Sequence, residues 1–266
     1  MTRPLIILVN DDGVHSPGLA ALAFALDNLG ELMIVAPRNQ QSGAGRSMLG
    51  HHTGELDRIK IQHREKEWSA YAVDASPALC VQHAILELAD RPPALVASGI
   101  NYGENVGVSS GTISGTVGAA LEGAAHHVPS LAVSLQVDSS LHSTHDHSVD
   151  FTTAAYFGRV FAGQIIEGAM PVGVDVLKVE VPALATINTA WKVARLDPKP
   201  YYIPVAPDRT NNETKNRMGY RLSEDRVSDS DTDSGTLEAG LVAVTPLQLD
   251  MTVHDALEKL DTLLRS

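Results

Sequence analysis

The chain is poor in cysteine, in positive charge and in long apolar runs. Its 266 residues include one cysteine, Cys80, so no disulfide can form within the chain, and a reducing, cytoplasmic compartment is expected. With 20 Lys and Arg against 32 Asp and Glu, the net charge of −12 argues against a nucleic-acid duplex or an anionic membrane as partner. No apolar run approaches the roughly 20 residues that span a bilayer, and the sequence does not begin with the profile of a signal peptide.

Two common nucleotide-binding fingerprints are also missing. Neither G-x-G-x-x-G nor a Walker A sequence occurs, so nucleotide binding of those kinds has no support. The length and the hydrophobic share of 44% suit one large α/β domain, or a domain with an appendage. Cys80 lies within an apolar helical pattern, which indicates a buried thiol rather than a nucleophile.

The most informative segment is Asn10–Gly13, which reads Asn-Asp-Asp-Gly. It follows five consecutive apolar residues, 5–9, which predict a strand buried on both faces, as in a parallel sheet. Ligands of open α/β sheets bind beyond the carboxyl ends of the strands. Two adjacent carboxylates there raise each other's pKa unless a cation lies between them. On this segment alone, a divalent-metal site and an Asx-rich surface turn are equally good interpretations.

The first 37 residues predict a strand–helix–strand unit, which implies a right-handed crossover and a parallel sheet. Ser16 and Pro17 are typical of an N-cap followed by proline, and Gly30 is a natural stop for the helix. The same criteria predict strands over 5–9, 32–36, 94–97, 131–135, 176–182, 191–196 and 241–247, edge strands or a hairpin within 55–73, and helices from Ser76, over 151–166 and over 253–264.

Three of the predicted strands end in loops rich in glycine and polar residues. These loops begin at Asn10, at Arg38 and at Ser98. Ser114-Gly115-Thr116 then precedes an alanine-rich helix, and a helix N-terminus favours an anion. Taken alone, the loop at Arg38 is better explained as a flexible connector and Ser114-Gly115-Thr116 as an ordinary cap. Because the carboxyl ends of parallel strands lie at one edge of a sheet, their convergence favours a ligand site at that edge.

Two further segments have unusual compositions. Residues 138–150 include His142, His145, Asp146, His147 and Asp150 without metal-ligand spacing, so a solvated, mobile loop is favoured over a metal site. Residues 197–240 are rich in Pro, Asp, Asn, Arg and Ser, which predicts a loop or an extended arm that needs a partner surface.

These motifs resemble, in their order, those of the survival-protein-E (SurE) family of metal-dependent nucleoside-monophosphate phosphatases. The matching segments are distributed across almost the whole chain: 10–13 with 16–18, 36–37 with 42–45, 98–107, 114–120, 231–233 and 244–247. The pattern and the resemblance together predict an α/β fold. It has three layers around a Rossmann-like, mostly parallel sheet, with a C-terminal extended arm or β-hairpin and a terminal helix.

The resemblance also implies how the chain is organised. It predicts one domain over 1–266, in which a Rossmann-like core over 1–135 carries the site. Residues 197–266 then form the arm and the terminal helix, through which the chain forms a homodimer or a homotetramer.

The resemblance implies one divalent ion per subunit, Mg²⁺ or Mn²⁺, held by Asp11, Asp12, the side chain of Ser42 and Asn101. All four ligands are oxygens, which suits a hard cation. The residues expected to hold the substrate phosphate, of which the first two are the weaker candidates, are Gly43, Asn105, Ser114, Gly115 and Thr116.

The implied reaction is hydrolysis of nucleoside 5′-monophosphates, and also of 3′-monophosphates, to nucleoside and phosphate. Asp11 and Asp12 are the catalytic candidates. A water activated at the metal is favoured as nucleophile, and an aspartyl-phosphate is the alternative. Receiver domains and haloacid-dehalogenase phosphatases also place acids after the first strand, but the first need an Asp after strand three and the second need Asp-x-Asp. A non-enzymatic small-ligand or partner-binding module is the alternative class.

Overall fold

The computed structural model of the chain describes residues 2–48, 55–142, 144–207, 218–223 and 227–265. Its strands are β1 (Leu5–Val9), β2 (Glu31–Pro37), β3 (Leu56–His63), β4 (Lys66–Val73), β5 (Leu95–Tyr102), β6 (Ser130–Leu135), β7 (Val176–Val181), β8 (Trp191–Val193), β9 (Tyr202–Val205), β10 (Gly219–Leu222) and β11 (Val242–Leu247). Its helices are α1 (Pro17–Leu26), α2 (Pro77–His83), α3 (Gly107–Ile113), α4 (Gly115–Ala125), α5 (Thr152–Ile166), α6 (Asp233–Glu238) and α7 (Leu257–Arg265).

Nine of these strands form one sheet in the order β3-β4-β2-β1-β5-β6-β7-β11-β8. Neighbouring strands are parallel except for β3 with β4 and β7 with β11. Strands β9 and β10 form a separate antiparallel pair. The strand β1 lies between β2 and β5, where the strand order reverses direction, and such a switch point is where open α/β sheets bind ligands.

Helices cover both faces of the sheet. One apolar cluster joins α1 and α5 to one face of β1, and a second joins α2 and α4 to the other face. Every residue of β1 is buried, as the uninterrupted apolar run 5–9 predicts. The predicted three-layer, mostly parallel α/β fold is therefore confirmed.

The predicted helix starts are confirmed by their caps. The Ser16 hydroxyl accepts the backbone N–H of Gly18, and the Ser76 hydroxyl accepts that of Leu79, in each case with proline at the first helical position. The Ser114 hydroxyl caps α4 by accepting the N–H of Val117. Each cap fixes where a helix begins and therefore where the preceding loop must end.

Residues 197–240 follow the prediction in part. The described residues contain the β9–β10 hairpin, in line with the predicted arm or β-hairpin, but also the helix α6, which was not predicted; residues 208–217 and 224–226 lie outside the described ranges. Thr232, Asp233 and Ser234 at the start of α6 are fully buried within this chain. The start of α6 is buried without a partner surface, because its polar groups pair with one another and with the sheet.

Two other segments differ from their predictions. The strand β5 continues to Tyr102, so Asn101 lies in the strand rather than in a loop, and the helix α3 follows where a loop was predicted. The predicted solvated loop 138–150 is partly packed, since the Tyr102 hydroxyl donates to the carbonyl of Asp146. No three His, Cys, Asp or Glu side chains come together as a metal-binding group in the part of the chain that the structure describes.

Two expectations from the composition concern Cys80 and membrane-spanning helices. Cys80 is fully buried, and burial raises the pKa of its thiol, as expected for a structural cysteine. Within the described ranges, no helix combines the length and the apolarity that crossing a membrane requires.

Candidate metal and phosphate site

The three glycine-rich loops meet at the carboxyl end of β1. The backbone N–H of Gln41, in the loop after β2, donates a 2.7 Å hydrogen bond to the carbonyl of Asp11. The backbone N–H of Tyr102, at the end of β5, donates a 3.1 Å bond to Asp12 Oδ2. The predicted convergence of the loops at one sheet edge is therefore present in the fold.

Asp11 lies against the N-terminus of α4. The Thr116 hydroxyl donates a 2.5 Å hydrogen bond to Asp11 Oδ1, and the backbone N–H groups of Gly115 and Thr116 also favour the ionised form of this carboxylate. A side chain at position 115 would place its Cβ 2.7 Å from Asp11 Cβ, so only glycine allows this approach. Burial raises the pKa of Asp11, although these hydrogen bonds partly offset the effect.

Asp12 is 1% exposed and accepts hydrogen bonds at both oxygens. The Gln40 side-chain amide donates to Oδ1 at 3.1 Å, and Tyr102 donates to Oδ2. Burial, and then the negative charge of Asp11, raise the pKa of Asp12 well above its ordinary value. Within the described ranges, no Lys, Arg or His side chain forms an ion pair with either carboxylate. Two buried acids without a cationic side chain fit a bound cation, which would lower both pKa values.

Ser42 and Asn101 lie on the same edge of the sheet. Ser42 follows directly after Gln41, and its side chain is exposed. Asn101 directly precedes Tyr102, and its Nδ2 donates a 2.6 Å bond to the carbonyl of Gly103. That bond engages the nitrogen of the amide and leaves its oxygen for another contact. Both residues therefore carry a neutral oxygen at the sheet edge where the two acids lie.

The residues predicted to hold the phosphate fall into two groups in the structure. Ser114, Gly115 and Thr116 form the N-terminus of α4, and Gly43 is exposed in the loop after β2 with a φ of +74°. Asn105 is different, because its Nδ2 donates to the Ser134 hydroxyl at 3.0 Å and its backbone N–H donates to Glu180 Oε2. These two donors of Asn105 therefore hold the loop after β5 in place.

Sequence reasoning missed Gln40 and the backbone N–H of Tyr102, which bind Asp12 directly. Gln40 also donates a 2.7 Å bond to the carbonyl of His142, so it links Asp12 to the loop over 138–150. A neutral amide within a polar loop carries no distinctive pattern. The only available signal was the position of Gln40 in the loop that follows the strand next to β1.

The fold and the site together define the class of protein to which this chain belongs. This is a three-layer α/β protein with a buried acid pair at the switch point of its sheet, next to the N-terminus of a glycine-started helix. That arrangement is suited to a cation and a phosphate.

The chain belongs to the SurE family. The model of the family described as "Survival protein SurE" matches residues 6–202. A 5′-nucleotidase SurE from Thermococcus gammatolerans is 38% identical over 262 residues, which are 97% of this chain and 95% of that protein. A 5′-nucleotidase SurE from Methanocella arvoryzae is 37% identical over 98% of this chain and 97% of its own length. The crystal structure of a SurE protein from Aquifex aeolicus superposes with a TM-score of 0.75 at 29% identity, covering 98% of this chain and 99% of that one. The predicted family is therefore confirmed.

Proposed function

We propose that this protein is a metal-dependent nucleotidase that hydrolyses nucleoside 5′-monophosphates, and also 3′-monophosphates, to nucleoside and phosphate. The observation that carries the proposal is the buried pair Asp11 and Asp12, which has no cationic side chain paired with it in the described residues. The names of the SurE relatives support the same activity.

One divalent cation per subunit, Mg²⁺ or Mn²⁺, is proposed to lie between Asp11, Asp12, Ser42 and Asn101. When bound, the cation supplies positive charge that stabilises the phosphate in the transition state and makes a coordinated water more acidic. Asp11 and Asp12 hold it with full negative charges, and Ser42 and Asn101 contribute neutral oxygens. This donor set suits a hard cation and would not favour a thiolate-binding metal.

The substrate phosphate is proposed to lie at the N-terminus of α4. The positive end of the helix dipole faces the site there, and the Ser114 hydroxyl can donate its proton while its oxygen caps Val117. The backbone of Gly43, exposed in the loop after β2, is proposed as a further donor to the phosphate. Because the Thr116 hydroxyl already donates to Asp11 and Gly115 packs against the same side chain, these two residues act on the phosphate mainly through the field of the helix. Asn105 supports the loop.

A water molecule is proposed as the nucleophile. Both carboxylates already accept hydrogen bonds, Asp11 from Thr116 and Asp12 from Gln40 and Tyr102. Such bonds withdraw electron density from the oxygens and make them poorer nucleophiles. Positioning and electrostatic stabilisation can supply most of the catalysis of phosphoryl transfer.

A substrate and metal panel tests the proposal. We expect phosphate release from 5′-monophosphates with Mn²⁺ or Mg²⁺, a fall of about 100-fold or more after EDTA treatment, and recovery on adding the ion back. The measurement is inorganic phosphate released from 5′- and 3′-monophosphates of the four common bases. Zn²⁺ is the control ion, because a site of oxygen ligands gives it no advantage.

Two results of this panel would contradict the proposal. Phosphate release that persists in EDTA would show that the reaction needs no metal. Nucleotide binding without any release of phosphate would favour the alternative, a small-ligand binding module.

The proposal also covers domain organisation and compartment. It treats 1–266 as one domain, because β11 lies in the same sheet as β1. It places the protein in a cytoplasmic, reducing compartment, as the buried free Cys80 suggests.

Assembly into a homodimer or homotetramer through the C-terminal segment forms part of the proposal. None of the residues of α7 is buried, and Leu257, Leu260 and Leu264 are more than half exposed. An apolar groove of about 900 Å³ lies on the same chain, with Val108 and Leu247 in its wall and Met251 at the start of the segment that leads to α7. A second copy that places its α7 on this groove would cover both surfaces.

The double variant Leu260→Glu/Leu264→Glu tests this assembly. We expect the wild-type protein to have the mass of two or four chains by light scattering after gel filtration, and the variant to shift towards one chain, because a carboxylate cannot be buried unpaired in an apolar contact. Leu86→Glu, at an exposed leucine outside α7, is the control. A monomeric wild type, or a variant with wild-type mass, would contradict the assignment.

A further inference from the structure

A group of side chains outside the metal and phosphate residues surrounds the carboxylate of Glu104. Glu104 is 6% exposed, and its Oε1 accepts a 2.7 Å hydrogen bond from the Tyr202 hydroxyl of β9. Burial, and the negative charge of Glu104, raise the pKa of Tyr202, so the hydroxyl keeps its proton and remains the donor. One oxygen of Glu104 is thus fixed by the hairpin.

Three aromatic rings pack on one another beside this carboxylate, and we call Glu104, His142, Tyr202 and Tyr220 the Glu104 pocket. The ring centroids of His142 and Tyr202 are 6.2 Å apart at 89°, and those of Tyr202 and Tyr220 are 5.2 Å apart at 74°. His142 Nδ1 lies 3.0 Å from the Tyr220 hydroxyl. Aromatic rings with one or two fixed polar groups between them are the usual lining of a small-molecule site.

Two buried polar atoms of this pocket have no hydrogen-bond partner among the described residues. They are Glu104 Oε2 and His142 Nε2. Buried polar side-chain atoms are paired in the large majority of cases, and an unpaired carboxylate oxygen is the more costly of these two. A free acceptor and an imidazole nitrogen in one pocket are therefore suited to a ligand that carries hydroxyl groups.

The Glu104 pocket adjoins the proposed metal site. Gln40 donates both to Asp12 and to the carbonyl of His142, so a single side chain connects the two. Along β5, Tyr102 binds Asp12 through its N–H, and Glu104 follows two residues later. Two residues of chain span at most about 7 Å. A sugar attached to a phosphate at the metal site would therefore reach the pocket.

Charge decides which part of a nucleotide this pocket can meet. A carboxylate repels a phosphate, so Glu104 has to face the nucleoside half of the substrate. An ionised carboxylate only accepts hydrogen bonds. The donors that all nucleoside monophosphates share are the ribose hydroxyls, whereas exocyclic amino groups occur on only some bases.

We propose that Glu104 is a specificity-determining residue that accepts a hydrogen bond from a ribose hydroxyl of the substrate, with His142 and Tyr202 forming the wall around the sugar. This inference rests on the proposed nucleotidase function and adds the part of the substrate that is recognised. Since neither Glu104 Oε2 nor His142 Nε2 is exposed, the aromatic side chains shift to admit the sugar.

The test compares Glu104→Gln with wild type on AMP, its 2′-deoxy and 3′-deoxy analogues, and phenyl phosphate, which has no sugar. In wild type we expect at least one deoxy analogue to have a kcat/KM about 10- to 100-fold below that of AMP. In Glu104→Gln we expect this preference to shrink, and the ratio of AMP to phenyl phosphate in kcat/KM to fall by a similar factor. Glu65→Gln, exposed in the β3–β4 turn at the opposite end of the sheet, is the control with the same change of charge.

The outcomes distinguish failure of the proposed ribose subsite from failure of the proposed nucleotidase function. Equal losses on AMP and phenyl phosphate in a folded Glu104→Gln would make Glu104 a structural residue and overturn the subsite. Should the variant not fold, the wild-type ratios decide, because equal rates on AMP and on both deoxy analogues would also overturn it. Release from phenyl phosphate alone would overturn the nucleotidase assignment itself, and a subsite for ribose with it.

Discussion

Asp12→Asn is expected to lower nucleotidase activity by about 10³-fold or more while leaving the fold intact. Asparagine removes one of the two full charges that are proposed to hold the cation, and keeps the size of the side chain. Its oxygen can still accept the N–H of Tyr102, so the expected cost is about 1 kcal/mol, for the changed contact with Gln40. The measurement is kcat/KM for AMP with Mn²⁺, and Asp255→Asn, an exposed residue, is the matched control.

The thermal stability of Asp12→Asn without added metal gives an independent readout. Because burial and the charge of Asp11 raise the pKa of Asp12, the folded state binds the proton more tightly than the unfolded chain does. The ionised pair therefore destabilises wild type above that pKa, and this penalty disappears as the pH falls through it. At pH 8 the metal-free variant should melt at or above wild type, and Mn²⁺ should raise the melting temperature of wild type alone.

Asp11→Asn is a contrasting variant with the same loss of charge. Asp11 accepts from the Thr116 hydroxyl, and its carboxylate lies against the backbone N–H groups at the start of α4. An asparagine that turned its amide N–H groups towards these donors would lose the hydrogen bond and repel them. We expect a similar loss of activity, together with a loss of stability of about 1–3 kcal/mol. Full activity in folded Asp12→Asn or Asp11→Asn would disprove the proposed role of the acid pair.

The elements that could be predicted from sequence are those with local signals. The run 5–9 could only be a strand buried on both faces, and Ser16-Pro17 and Ser76-Pro77 specify where helices begin. The position of the site followed from these elements, because a right-handed crossover brings the ends of neighbouring parallel strands to one edge. The four proposed metal ligands needed the family resemblance, since spacing alone does not say which side chains turn inwards.

The elements that were missed are held by contacts distant in sequence. The helix α3 is rich in glycine and serine and has no apolar periodicity, but the N–H groups of Gly107 and Val108 bind Asp233 and Asp197. The segment around α6 is buried through polar side chains, so its low content of large apolar residues predicted a loop or an arm in need of a partner surface. Pairings over such separations leave no trace in local composition.

Lys178 is the most distinctive of these long-range features, because it is fully buried in the middle of β7. Its ammonium group pairs with Glu180 Oε1 at 3.2 Å and with Asp233 Oδ2 at 3.0 Å, and all three side chains are 0% exposed. Burial opposes the charge on Lys178, but the two carboxylates outweigh it and raise its pKa. The same acids accept the N–H groups of Asn105 and Gly107, so this triad anchors the loop that follows β5.

Lys178→Met is expected to lower the free energy of unfolding by about 3–5 kcal/mol, because it leaves two buried carboxylates without their cation. Lys60→Met removes an exposed lysine that pairs with Glu67, and should cost no more than about 1 kcal/mol. Urea unfolding with equal m-values is the measurement. Activity at a temperature where Lys178→Met is folded should also fall, because the loop beside Asp12 loses its anchor.

The pH dependence and a second substitution separate an electrostatic cause from a packing defect. Burial already raises the pKa of Glu180, and removing the charge of Lys178 should raise it further. Stability is then lost as the pH rises through that pKa, and the deficit should be smaller at pH 5 than at pH 8. Adding Glu180→Gln to Lys178→Met removes the repulsion and should restore at least about half of the loss. A deficit independent of pH and unrelieved by Glu180→Gln would mean that Lys178 acts by filling space, and the loop after β5 would then owe its position to packing alone.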